Sequence, residues 1–102
     1  MRTSITRPKQ SSARAVRITE DTLIVDLQDG RSISVPLDWY PRLRHGSRAE
    51  RSNWELIGDG EGIHWLDLDE DISVAGLLAG IPSQESQGSL RQWLQSRKHR
   101  PG

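Results

Sequence analysis

Four carboxylates lie close together in the second half of the chain. Asp67, Asp69 and Asp71 alternate as the first ligands of a calcium-binding EF-hand loop do, and Glu70 adds another carboxylate. An EF-hand also needs a glycine at its sixth position and a glutamate at its twelfth, where this chain has isoleucine and leucine. The pattern excludes an EF-hand. A weaker site for a hard cation remains as one alternative. We expect instead that these acids interact with the positive N-terminal end of a following helix.

His64 lies in a predicted strand of the expected fold, whereas the other histidine of residues 14–82, His45, lies outside the strands. General-base chemistry needs a histidine that is bonded to an orienting carboxylate and to a nucleophile, and neither a serine elbow nor a second histidine at metal spacing accompanies it. We expect a structural hydrogen bond, with Asp67 as the partner if His64 has a function. A metal-dependent hydrolase that uses His64 and residues 67–71 is the least favoured alternative. We predict no catalytic residues, no metal and no other cofactor.

The glycines of residues 58–62 are not spaced to hold a phosphate. A nucleotide-binding loop leads into a helix, and a Walker loop ends in Lys-Ser or Lys-Thr, whereas this acidic segment precedes the apolar run Ile63–Leu66. The sequence therefore predicts a flexible hairpin loop here.

Aromatic and arginine side chains are interleaved between residues 39 and 54. The aromatic ones are Trp39, Tyr40 and Trp54, and the basic ones are Arg42, Arg44, Arg48 and Arg51. Such a combination can stack on bases and bind phosphates. In so small a domain, however, tryptophans usually form the core and arginines on short helices are usually solvated or paired, so we favour packing over nucleic-acid binding.

The elements that must position these residues belong to one small domain. The chain has 102 residues, 33% of them hydrophobic, which supplies a single modest core. It has no cysteine, and its N-terminus holds no continuous apolar stretch, so neither disulfides nor a membrane segment is predicted and the cytoplasm is the expected location.

A formal net charge of zero hides a segregation of charge along the chain. Residues 1–19 carry five bases and no acid, and residues 84–102 carry four bases and one acid. Between residues 52 and 82 there are acids and no lysine or arginine. Both ends are therefore cationic and this inner segment is anionic.

Apolar residues that alternate with polar ones predict three strands in the first half, around Val16–Ile18, Leu23–Leu27 and Ile33–Val35. Asp29-Gly30 is typical of a two-residue hairpin turn with positive φ at both positions. Pro36 should end the third strand. These strands form an antiparallel meander.

The second half combines short helices with a hairpin. A helix is predicted around residues 38–44, and Ser47 with Glu50 predicts a capping box that begins a helical turn over residues 48–53. Residues 54–57 and 63–66 are predicted to be strands. Ser73 is expected to cap a helix that ends at Gly80, and residues 89–98 to form a last helix.

The predicted fold class is α+β, an antiparallel meander and a second hairpin packed with two or three short helices. We divide the chain into a flexible basic tail (1–13), the α+β domain (14–82), and a linker with a short basic helix (83–102). The chain shows no internal repeat.

The middle of the chain resembles the prokaryotic family known as domain of unknown function 2442. The residues that carry the likeness are Leu27–Arg31, Val35–Leu43, Arg51–Trp54, Ile57-Gly58, Gly62–Ser73 and Gly76–Gly80. The resemblance covers about residues 15–80 and implies a small α+β fold with no established activity. Some relatives are fused to a helix-turn-helix domain, and others are encoded beside a small protein in candidate toxin–antitoxin pairs.

The leading hypothesis is a non-enzymatic domain that binds a basic partner protein, in the antitoxin-like version as the neutralising member of a two-protein module. The predicted contact residues are Asp59, Glu61, His64, Asp67, Asp69, Glu70 and Asp71. The alternative is a DNA-associated regulator that uses the basic ends and the four arginines named above. No membrane partner is expected.

Overall fold

The computed structural model describes residues 12–98, which form an α+β fold as predicted. The strands are β1 (Ala13–Ile18), β2 (Thr22–Leu27), β3 (Ser32–Pro36), β4 (Trp54–Ile57), β5 (Gly62–Trp65) and β6 (Glu70–Ser73). The helices are α1 (Pro41–His45), α2 (Arg48–Ser52), α3 (Val74–Leu78) and α4 (Gln87–Lys98). Most of the predicted N-terminal tail (residues 1–11) and the last four residues of the C-terminal segment lie outside the described part.

The first sheet is an antiparallel meander in the order β1-β2-β3. The alternation in β2 buries Leu23, Val25 and Leu27 on one face, and confirms the strand prediction. The hairpin between β2 and β3 differs from the two-residue turn expected. Gly30 alone has a positive φ (+95°), and the Leu27 amide bonds to the Arg31 carbonyl, so three residues form the loop.

Two short helical segments replace the single helix expected at residues 38–44. A 3₁₀ turn covers Leu37–Trp39, and α1 begins only at Pro41. Tyr40 between them has φ −129° and ψ 86°, because the proline that follows disfavours helical backbone at this residue. The predicted capping box of α2 is confirmed, since Ser47 and Glu50 each bond the other's backbone amide.

The second sheet has the order β4-β5-β6 and contains one strand more than the predicted hairpin. In its register Trp54 lies opposite Trp65, and Trp65 lies opposite Glu70. Trp65 is fully buried, and its indole N–H donates to the carbonyl of Arg51 at 2.9 Å. This bond joins the sheet to the end of α2.

The turn between β4 and β5 is packed against the first sheet. Gly58, Asp59 and Gly60 all have positive φ, and Gly60 is buried beside Ala13. A Cβ atom on Gly60 would lie 2.6 Å from the carbonyl oxygen of Ala13. The expectation of a flexible loop is therefore wrong at this glycine, where only a bare Cα lets the two sheets approach.

The last two helices follow the second sheet. Ser73 caps α3 as predicted, accepting a bond from the amide of Gly76 at 2.9 Å, and Gly80 follows with φ +74°. Helix α4 turns a half-buried face, including Leu90, Trp93 and Leu94, towards the domain. Trp93 packs against the buried core.

The turn glycines allow a test of this packing. Gly30 and Gly60 have similar φ values, but only Gly60 has a neighbour within 4 Å of its added Cβ. We expect Gly30→Ala to lower the free energy of unfolding by about 1 kcal/mol, and Gly60→Ala by roughly 3 kcal/mol because a clash adds to the backbone strain. Urea denaturation measures both. Equal losses would contradict a close approach at Gly60.

Candidate functional site

The outward face of the second sheet carries a row of three ionisable side chains. The register places Glu55 of β4 opposite His64 of β5, and His64 opposite Asp71 of β6. Because Trp65 points into the core, the strand's alternation turns its neighbour His64 outward. Opposite residues on one sheet face have neighbouring side chains, so the row is one continuous patch.

His64 is paired with Asp71 through its Nδ1 atom. This bond is the main cause of a raised pKa of His64, and the charges of Asp71, Glu55 and Asp69 act in the same direction against a partial desolvation. Asp67, the expected partner, instead accepts a hydrogen bond from the side-chain amide of Asn53 at 2.9 Å. That expectation was wrong because it followed nearness in sequence rather than cross-strand register.

Asp67 and Asp69 lie in the turn between β5 and β6, next to the row. Asp69 has a positive φ (+51°), and its side chain is 86% exposed, although Arg42 approaches its carboxylate at 3.6 Å. We name Glu55, His64, Asp67, Asp69 and Asp71 the acidic face. The expected helix-capping role of the acids is wrong, because a strand separates the turn from α3 and Ser73 is the cap.

The remaining predicted contact residues do not join the acidic face. Asp59 and Glu61 lie at the other end of the second sheet, around the β4–β5 turn. Glu70 lies on the opposite side of the sheet from His64, because it pairs with the inward Trp65. Glu55 was not predicted, although the alternation in β4 would have placed it on the face opposite to Trp54. Only the register of β4 with β5 shows that it neighbours His64.

The carboxylates are not arranged as a metal site. Within residues 12–98 no group of three or more histidine, cysteine or carboxylate side chains is placed to hold an ion. Asp67 and Asp71 are engaged with Asn53 and His64. The geometry of residues 12–98 thus gives no support to the hard-cation site that the sequence left open.

Two exposed apolar side chains border the acidic face. Ile57, two residues beyond Glu55 on β4, is 42% exposed, and Leu66, directly after β5, is 52% exposed. Apolar side chains beside charged ones are usual in contact surfaces between proteins. The face therefore combines charge with apolar area.

The Arg42 side chain contacts helix α4 and the segment just before it. Its guanidinium donates to both carboxylate oxygens of Glu85, at 3.0 Å from Nε and 2.6 Å from Nη2. It also donates to the carbonyl of Asp69 at 3.1 Å and lies 4.9 Å from the centre of the Trp93 ring. Arg97 approaches the same ring at 4.7 Å. Trp93 is thus held by two arginines through cation–π contacts.

Two other arginines of the proposed nucleic-acid cluster also have structural partners. Arg51 donates to the carbonyls of Leu43 and Arg44 at 2.8 and 2.7 Å and so closes the end of α1. Arg44 pairs with Asp38 at 3.3 Å. Arg48 alone of the four has neither a side-chain hydrogen bond nor an ion pair in the described residues, and it lines a cleft of about 400 Å³ with Val16, Ile18 and Trp54. The cluster therefore offers little free positive charge.

These features define a small α+β domain with an acidic outward face on its second sheet. The sequence matches the model of the family described as protein of unknown function, DUF2442, over residues 13–83, and the chain belongs to that family. Helix α4 lies beyond the matched segment. None of the helices in residues 12–98 has the length and apolar character needed to cross a membrane.

Two solved structures resemble the domain. A protein of unknown function from Rhodospirillum rubrum is 32% identical, with 74% of this chain and 94% of that chain covered and a TM-score of 0.64. An uncharacterised protein from Chromobacterium violaceum is 22% identical, with 79% and 74% covered and a TM-score of 0.62, a likeness of fold alone. A search of curated proteins finds no match. None of these comparisons supplies an activity.

The His64–Asp71 pair predicts a measurable titration. Since the aspartate favours the imidazolium, Asp71→Asn should lower the pKa of His64 towards its ordinary value. NMR titration of the imidazole carbons measures this shift, and Glu20→Gln, an exposed change in the turn between β1 and β2, serves as control. An unchanged titration in Asp71→Asn would contradict the pair.

Glu70 predicts a dependence of stability on pH. Burial raises the pKa of Glu70 to about 7, from 4.5. A raised carboxyl pKa means that stability is lost as pH rises from the unfolded to the folded value, since ionisation is costlier in the native state. We expect Glu70→Gln to be more stable than the wild type at pH 8 by about 1–2 kcal/mol, allowing for screening by solvent, and nearly equal at pH 5. Urea denaturation at both pH values tests this, and an equal gain at pH 5 would contradict it.

Proposed function

We propose that this chain is a non-enzymatic protein-binding domain whose acidic face contacts a basic partner. The observation that carries the proposal is the charge of this region. Residues 52–82 contain seven carboxylates and no lysine or arginine. Four of the seven lie on the acidic face, and two of these flank His64 across the sheet. A surface of net negative charge steers a basic partner to it and disfavours partners of like charge.

The geometry of the face suits contact more than catalysis. His64 has an orienting carboxylate in Asp71, as a general base would. Among residues 12–98, however, no hydroxyl or amine bonds to the His64 ring, so the pair has no nucleophile to activate. The raised pKa of His64 also favours a charged imidazole that cannot accept a proton.

Ile57 and Leu66 supply the apolar part of the proposed contact. Exposed charge pairs contribute only about 0–1 kcal/mol each, so carboxylates alone would give weak and salt-sensitive binding. Burial of two aliphatic side chains adds an attraction that salt does not screen. Electrostatics would then govern the rate of encounter, and the apolar residues the lifetime of the complex.

A finer form of the proposal makes the partner a protein that this domain neutralises, as in a two-protein toxin–antitoxin module. It rests on the gene neighbourhood of relatives. Because the chain has no cysteine, a reducing compartment such as the cytoplasm suits this role. Co-expression with the product of an adjacent small gene tests it, and a neighbour that is harmless when expressed alone would argue against it.

A triple variant, Glu55→Gln with Asp69→Asn and Asp71→Asn, tests the main proposal. These changes remove charge while keeping shape, and asparagine tolerates the positive φ of residue 69. We expect the wild type and the control Glu20→Gln to co-purify the same protein from native cells. The triple variant should bind that protein about tenfold more weakly, since each lost rim charge is worth roughly 0.2–1 kcal/mol.

Three outcomes separate the hypotheses. Loss of one captured protein in the triple variant alone supports the proposal. Capture of identical proteins by all three forms contradicts it. Retardation of duplex DNA at low salt that is abolished by Arg48→Ala would instead favour the nucleic-acid alternative, because Arg48 is the one arginine of the proposed cluster whose side chain has no partner within residues 12–98.

A further inference from the structure

A cavity of about 290 Å³ opens beside the edge strand β6. Glu70 and Asp71 of this strand, with Tyr40, contribute polar groups to its lining, and Ile72, Ile81 and Pro82 contribute apolar ones. Tyr40 and Ile72 are buried, whereas Ile81 is 49% exposed at the rim. The volume lies at the lower end of the range for ligand sites and leaves room for one long side chain.

The side chain of Glu70 has no hydrogen bond or ion pair within residues 12–98, although its backbone pairs with Trp65 in the sheet. Most buried carboxylates have a charged or hydrogen-bonding partner, because an unpaired one is costly to desolvate. The neighbouring phenol does not supply one, since the Tyr40 hydroxyl donates to the carbonyl of Ile81 at 3.3 Å. A carboxylate without a partner therefore lines an open cavity.

Most of the charged groups around Glu70 are carboxylates, and no base within residues 12–98 is bonded to its side chain. Arg42 of α1 is the nearest base, but its guanidinium is bonded to Glu85 and to the Asp69 carbonyl. Arg42 favours the ionisation of Glu70, and three carboxylates, Glu85, Asp71 and Asp69, oppose it. Burial raises the pKa of Tyr40, and the charge of Glu70 adds to that shift. Three carboxylates and one arginine that is already bonded to other groups thus surround Glu70.

We propose that this cavity receives the side chain of one lysine from a basic partner protein, with the ammonium group on Glu70 and the methylene chain against Ile81 and Pro82. A lysine side chain needs such a pairing of apolar wall and terminal carboxylate. An ammonium is a compact charge that one carboxylate can hold, whereas a guanidinium is best matched by a two-pronged partner. The inference rests on the proposed function and names a second, deeper contact on the adjoining edge strand β6.

The lysine is favoured over a metal ion. A divalent cation takes several oxygen ligands at short range, and no group of three candidate ligands is assembled within residues 12–98. The apolar wall would also contribute nothing to a metal, whereas it can bury the methylenes of an alkyl chain.

The test uses n-butylammonium chloride, the side-chain analogue of lysine, with sodium chloride at equal ionic strength as the blank. NMR spectra of the full chain report the backbone amides and the carboxyl carbons. We expect shifts confined to the cavity residues Ile72, Gly76 and Ser83, and an apparent pKa of Glu70 lowered by about one unit at saturation. Glu70→Gln should abolish these shifts, and Glu55→Gln, which changes a carboxylate on the outward face, should keep them.

Shifts that sodium chloride reproduces, or that persist in Glu70→Gln, would overturn the inference. A decalysine peptide then separates it from the proposed function. Affinity for Glu70→Gln should fall about fivefold if the lysine enters the cavity, and an unchanged affinity would reject the cavity while leaving the acidic face intact. If decalysine did not bind the wild type, the proposed function would be rejected. The butylammonium titration would still show whether the cavity binds an alkylammonium group.

Discussion

The burial of Trp65 fixes the arrangement of the second sheet and everything that the sheet presents. Its ring is completely enclosed, and its one polar atom is satisfied by the Arg51 carbonyl. Since a slip of one residue would expose this ring, the register of β5 has no alternative. His64 must then point to solvent between Glu55 and Asp71, while Glu70 must point inward. One buried tryptophan thus places His64 and Glu70 on opposite sides of the sheet.

The local parts of this structure follow directly from the sequence. Alternation predicted β1 to β5, and the capping residues Ser47 and Ser73 predicted the starts of two helices. The sixth strand was not predicted, because the segment Glu70-Asp71-Ile72-Ser73 has a single apolar residue, Ile72. The other inward-facing residue of this strand, Glu70, is charged rather than apolar. A strand of this kind forms only through its neighbour, and pattern analysis of one segment does not contain that information.

The site was harder to predict, for the same reason. Its members come from three strands, and their spacing along the chain does not reveal which side chains are neighbours. The arginines show the converse, because closeness in sequence suggested one cationic cluster, but the structure pairs Arg42 with Glu85 and directs Arg51 to helix-end carbonyls. Sequence clustering of charge is therefore a poor guide to free charge when short helices need their ends satisfied.

Glu50 serves two elements at once. Its carboxylate accepts from the Ser47 amide at the start of α2 and from Arg97 of α4, and these bonds lower its pKa to about 2. The terminal helix lies beyond the family segment, yet it shares an atom with the cap of a helix inside it. Docking of α4 and ordering of α2 are thus thermodynamically linked, and the free energy by which each stabilises the other is the same in both directions.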